Sequence, residues 1–162
     1  MLQNTPIETH FMSVESVKVF VDTNILVYAR DTSESNKQIK AKQWIAHLWK
    51  TRSGRLSYQS FNEYYVVTTQ RLKPGLAKEE ARADLNALEA WKPLIVDKQV
   101  IDNAWKIQDR FQFSWWDSLI LSAAQIQACD YLLSEDLQHN QVIGCVKVIN
   151  PFLTEVDQLI SL

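Results

Sequence analysis

The sequence predicts an α/β fold, a single domain whose mainly parallel central sheet is covered by helices, and three observations predict it. Short continuous apolar runs alternate with stretches of helical spacing, which is the order of repeated βα units. The chain has 162 residues, 46% of them apolar and 10% aromatic, enough to bury one substantial core. Three glycines and four prolines leave little room for linkers, and there is no internal repeat, low-complexity tract or break in composition.

The elements follow in order. Val17-Lys18-Val19-Phe20-Val21 reads as a buried first strand, and Ile25, Leu26 and Ala29 as the apolar side of a short helix. From Lys37 onward, Ala41, Trp44, Ile45 and Leu48 repeat at the spacing of one helical face, and Gly54 ends that run. Arg55-Leu56-Ser57 reads as a short strand. It leads into a helix from about Ser60 to Leu72, which Pro74-Gly75 stops. A charged helix from Lys78 to Trp91, a strand at Leu94-Ile95-Val96, and a helix marked by Ile101, Ala104, Trp105 and Phe111 come next. Asp117 to Ala128 is a more apolar helix, followed by strands at Tyr131-Leu132-Leu133 and Val146-Lys147-Val148-Ile149. The domain is expected over residues 17–153. Residues 1–16 are expected to be a flexible lead, with Met12 as an alternative start, and residues 154–162 a C-terminal tail.

Composition limits the functional classes. A net charge of −2 argues against a generally basic nucleic-acid coat, so any nucleic acid must be held by a local patch. Cys129 and Cys145 make no CxxC pair or disulfide framework, and they read as reduced, small apolar residues. The first sixteen residues lack the basic and apolar regions of a signal peptide, and no apolar run approaches the ~20 residues of a membrane span. A cytoplasmic protein with no membrane partner is the expectation.

Four carboxylates stand where strand-like runs end or helix-like runs begin: Asp22, Glu63, Asp117 and Asp136. In a parallel sheet the carboxyl ends of the strands share one edge, and ligands bind in the crevice there. Each acid alone has a structural reading. Ser60-Phe61-Asn62-Glu63 and Ser114-Trp115-Trp116-Asp117 both match the capping box, Asp22 suits a helix cap, and Ser134-Glu135-Asp136 suits a turn. Together they are harder to explain as caps. Two bare charges ~4 Å apart repel by about 4 kcal/mol at an effective dielectric of 20, and a hard divalent cation removes that cost.

The residues around these acids resemble the PIN-domain nucleases. Phe20-Val21-Asp22-Thr23-Asn24-Ile25-Leu26 looks like the opening motif of that family, and the other three acids follow in the family's order and approximate spacing. The resemblance covers about Val17 to Phe152. From Cys129-Asp130 through Asp136-Leu137-Gln138-His139 to Asn150-Pro151-Phe152 it is similar to the VapC-like toxins of type II toxin–antitoxin pairs. Asn140 stands where that pattern often has Gly, and Asn tolerates the left-handed backbone such a turn uses.

The resemblance implies a PIN-like α/β/α sandwich and a Mg²⁺-dependent ribonuclease, with Mn²⁺ able to substitute, that leaves a 5′-phosphate and a 3′-hydroxyl. It implies Asp22 and Asp117 as direct metal ligands, Glu63 and Asp136 as further ligands, and Asn24 and Ser134 as supports. It also implies an antitoxin partner and a homodimer. For RNA binding, the stretch from Arg30 to Arg55 carries seven basic residues against two acidic ones, and Arg30, Lys37, Lys40, Trp116 and His139 are candidate substrate contacts. The same lysines also read as the wet face of an amphipathic helix, and His139 as a loop residue. Of Trp115 and Trp116, one is expected inward and the other at the cleft. Two other readings remain: a catalytically silent PIN-like scaffold that binds RNA or protein, and a haloacid-dehalogenase-type phosphatase. The phosphatase needs a second Asp two positions after the first, where Asn24 stands.

Overall fold

A computed structural model describes residues 16–159. The expected lead and Met12 lie, Ser16 apart, outside the described residues. β1 (Val19–Val21) is followed by α1 (Thr23–Tyr28), α2 (Ser35–Thr51), β2 (Gly54–Arg55) and α3 (Tyr58–Val66). α3 runs on without a break into a π-helical turn, Val67–Arg71. Then come α4 (Lys78–Leu88) with a 3₁₀ turn at Glu89–Trp91, α5 (Lys98–Phe111), α6 (Trp115–Ile126) and β3 (Tyr131–Leu133). β4 (Val142–Ile143), β5 (Val146–Ile149) and α7 (Val156–Leu159) complete the order.

The sheet order is β2-β1-β3-β5-β4, parallel except for β4 at the edge. Strand alternation divides the core between two faces. Val19, Val21, Leu133 and Ile149 face a layer built from α1 to α4, with Trp44, Leu56 and Trp91 buried in it. Phe20, Leu132 and Val148 face α5 and α6. From β1 the chain moves outward to β2, then returns across the sheet to β3 on the other side of β1. The direction of winding therefore reverses between β1 and β3, and crevices form at the carboxyl ends of such a pair.

The structure corrects several expected elements. The first strand begins at Val19, because the Lys18 amide is already turned to the Asp130 carboxylate (2.8 Å). Leu94-Ile95-Val96 is not a strand of the sheet. Leu94 makes one bridge to Ser57, and Ile95 is 69% exposed. β4 is an antiparallel edge strand of two residues, too short to leave a period in the sequence. The segment from 154 carries α7, whose Leu159 is buried in the larger core layer. Asn140 does adopt the left-handed backbone, with φ 66°, and Trp44 is core, its indole N–H donating to the Pro151 carbonyl (3.1 Å). No described helix is long and apolar enough to cross a membrane.

Candidate active site

The β1–β3 switch point opens into a cleft of about 1030 Å³, and Asp22, Glu63, Asp117 and Asp136 all line it. Asp22 follows the last residue of β1, and its amide donates to the Leu133 carbonyl (3.0 Å), which fixes its backbone against the end of β3. It occupies the cap position of α1 but makes no side-chain cap hydrogen bond. Its carboxylate instead accepts from Ser134 Oγ (2.9 Å), and only 5% of the residue is exposed. Burial first, with Asp136, Asp117 and Glu63 adding to it, pushes the Asp22 carboxyl up to about 7 against the pull of that hydrogen bond. The repulsion expected among the acids is thus present in the fold.

The two supports are crossed. Ser134, beside Asp136 in sequence, holds Asp22; its hydroxyl also accepts from the Asp136 amide (3.2 Å). Asn24, beside Asp22 in sequence, donates from Nδ2 to the Asp136 carboxylate (2.7 Å). Asn24 thus supports the last acid rather than its neighbour in sequence, because α1 turns it across the gap between the two strand ends. Asp136 also lies above the usual carboxylate range, through burial first and then through Asp117 and Glu135.

The two capping boxes part company. Ser114 is the cap of α6: its Oγ accepts from the Asp117 amide (3.1 Å) and donates to Asp117 Oδ2 (2.8 Å). Ser60 caps nothing. α3 begins earlier, at Tyr58, so Ser60 is inside the helix with a buried hydroxyl that has no hydrogen-bond partner, and Glu63 falls in the second turn rather than the first. Glu63 is held by Gln59 Nε2 one turn back (2.7 Å).

Most of the expected substrate contacts lie elsewhere. Arg30 is bidentate to Asp84, which also accepts from Tyr64, between α1, α3 and α4. Lys37 pairs with Glu135 (2.9 Å), contacts the Tyr28 hydroxyl (3.2 Å) and sits over the Tyr28 ring. Lys40 pairs with Glu155 (2.6 Å). His139 Nδ1 accepts from the Asn150 amide (3.0 Å), a loop-fixing contact. Trp116 does line the cleft and is 61% exposed, whereas Trp115 packs on the α5–α6 side against Trp105. The cation that sequence reasoning missed is Arg71, the only basic residue among the described ones lining the cleft. The signal available was its place eight residues after Glu63, a spacing that a helix keeps on one broad face.

The donor set is all oxygen, carboxylates with hydroxyl and amide neighbours, which suits a hard divalent cation. Among the described residues no group of three or more His, Cys, Asp or Glu side chains is placed to hold a metal ion. Mg²⁺ does not require one, because it keeps several waters and is commonly bound through one or two carboxylates plus substrate phosphate.

A crevice at the switch point of a parallel sheet, lined by four acids, is a nuclease-type arrangement. The chain matches the PIN domain family over residues 19–143, and it belongs to that family. Among solved structures it is similar in fold to a chain of a toxin–antitoxin complex from Klebsiella pneumoniae, with TM-score 0.58 and 14% identity, covering 83% of this chain and 98% of that one. No curated protein matches. Membership of the PIN family sets aside the phosphatase reading, in keeping with Asn24 where that reading needs an acid.

Proposed function

We propose that this PIN-domain protein is a metal-dependent endoribonuclease, the toxin of a toxin–antitoxin pair, acting in the cytoplasm with Mg²⁺ and able to use Mn²⁺. The observation that carries the nuclease reading is the convergence of four acids from four separate segments on one cleft, with Asp22 buried at 5% exposure and left out of helix capping. A pure binding module gains nothing from a cluster of acids that repels phosphate.

Asp22 and Asp117 are the direct ligands in this reading, with Glu63 and Asp136 as further ligands. When bound, the cation polarises a phosphoryl oxygen and lowers the pKa of a coordinated water. Ser134 holds Asp22 in one orientation and Asn24 does the same for Asp136. With the Asp22 carboxyl at about 7 in the metal-free protein, cation binding competes with its proton. Trp116 offers an exposed ring face to a base of the RNA beside Asp117. Hydrolysis adds water across the P–O3′ bond, leaving a 5′-phosphate and a 3′-hydroxyl.

The likeness to a chain of the Klebsiella pneumoniae toxin–antitoxin complex, together with the VapC-like C-terminal motif, supports an antitoxin partner. Homodimerisation belongs to the same reading. The test is cleavage of single-stranded RNA with Mg²⁺ or Mn²⁺, with and without chelator, by the wild type, Asp22→Asn and Asp117→Asn. Loss of cleavage by about 100-fold or more in both variants and in chelator is expected. Equal cleavage by the variants, or none by folded, antitoxin-free wild type, leaves only the silent scaffold. The toxin role predicts that expression arrests growth and that co-expression of a small antitoxin encoded immediately upstream relieves the arrest.

A further inference from the structure

The cleft has a charge problem that its acids make worse. Four carboxylates line it, and a nucleic-acid strand brings more negative charge. A divalent cation offsets only part of that. The first three basic residues after the first acid are already committed: Arg30 to Asp84, Lys37 to Glu135 and Lys40 to Glu155. Arg71 is different. It lines the cleft, is exposed, and makes no ion pair among the described residues.

The π-helical turn brings it closer into line with Glu63. At about 100° per residue, an uninterrupted α-helix carries a residue eight positions beyond Glu63 roughly 80° round the axis, toward the margin of that face. The i→i+5 winding over Val67–Arg71 turns less per residue and removes most of that angle, so Glu63, Val67 and Arg71 share the cleft face. The turn is well tied. Leu72 N–H bonds to the Val67 carbonyl (2.8 Å), Leu76 N–H to the Thr68 carbonyl (2.9 Å), and the Thr68 and Thr69 hydroxyls to the carbonyls four residues back (2.7 and 2.6 Å). Departure from α-geometry here is built in, and such turns occur frequently at functional sites.

We propose that Arg71 is a substrate-binding residue of this cleft: it grips a phosphate of the RNA backbone on the Glu63 side while the acids act on the scissile one. A guanidinium presents a planar fork of donors that matches phosphate oxygens, and here it needs no intramolecular ion pair broken first. The proposal rests on the nuclease reading only for the identity of the ligand, a phosphodiester strand.

Binding and cleavage therefore have to be read separately. A fluorescent single-stranded RNA of mixed sequence is titrated with protein in chelator, so that nothing is cut, at several salt concentrations. For Arg71→Ala, affinity is expected to fall about tenfold or more, and the slope of log K against log salt to shrink by about 0.7, one phosphate contact on a single strand. Arg71→Lys is expected to keep the salt slope and lose part of the affinity. In the cleavage assay, KM should rise more than kcat falls. Unchanged affinity and slope in a folded Arg71→Ala protein overturn the proposal, as does absence of RNA binding by the wild type. So does tighter Mg²⁺ binding without any RNA effect, which would make Arg71 a counter-charge for Glu63. A DNA strand of the same sequence tells the two phosphodiesters apart, and Arg71-dependent binding of DNA alone overturns the RNA assignment. If the wild type binds RNA through Arg71 yet never cleaves it, the nuclease reading fails and this proposal stands.

Discussion

Asp22 is 5% exposed and shares its cleft with three other acids, so folding the metal-free protein transfers a carboxylate into a site that resists its charge. Its carboxyl stands at about 7 in the folded chain against 3.8 as the unperturbed value. Below both values the two states carry the same proton and pH has no leverage. Between them the folded state keeps a proton that the unfolded state has lost, so stability falls as pH rises, and above about pH 7 the full penalty applies, on the order of a few kcal/mol. Asp136 shifts in the same direction. In chelator, the wild type is expected to melt at a higher temperature at pH 5 than at pH 8, and Asp22→Asn to raise Tm at pH 8 and flatten the difference. Thermal denaturation across that range checks it, and a wild type that gains stability toward pH 8 contradicts the burial argument.

Among the helices, two serines in identical sequence patterns have opposite fates. Ser114 satisfies the first turn of α6, so Ser114→Ala is expected to cost about 1 kcal/mol, read by urea denaturation. Ser60 lies inside α3 with an unpaired buried hydroxyl, so Ser60→Ala is expected to be neutral or slightly stabilising. Equal losses in the two variants would mean that α3 starts at Ser60 after all. The capping pattern was legible in both places, but where a helix starts also depends on what precedes it. Tyr58 N–H is bonded to the Leu94 carbonyl (3.0 Å), and that distant contact launches α3 before the local signal. The π-helical turn was not legible either: the β-branched run Val67-Thr68-Thr69 weakens an α-helix without specifying an i→i+5 winding.

Across the molecule, the α1–α4 layer is locked to the sheet edge through Trp91, which is buried against Gly54 of β2. A Cβ at Gly54 would come within 2.5 Å of the Trp91 ring. Gly54→Ala is therefore expected to lose about 1–3 kcal/mol by overpacking and to shift the tryptophan fluorescence, and chemical denaturation followed by that emission tests both. An unchanged midpoint would show that the ring can be displaced freely. Gly54 read in the sequence as a helix stop, and its closer role, admitting an indole to the backbone, required knowing that residues 54 and 91 meet.

Apolar period, strand ends and local motifs are properties of contiguous residues, so the α/β class, the parallel run of the main strands and the four acids were legible from the chain alone. Asp22, Asp117 and Asp136 stood out by their place at those ends. The crossed supports of Asn24 and Ser134, the engagement of Arg30, Lys37 and Lys40 by distant acids, and the alignment of Arg71 with Glu63 in the cleft emerged only once the chain was folded. Each depends on partners tens of residues away, or on a helical winding chosen by packing. The energy that selects among such contacts comes from burial and charge in three dimensions, which the one-dimensional pattern does not carry.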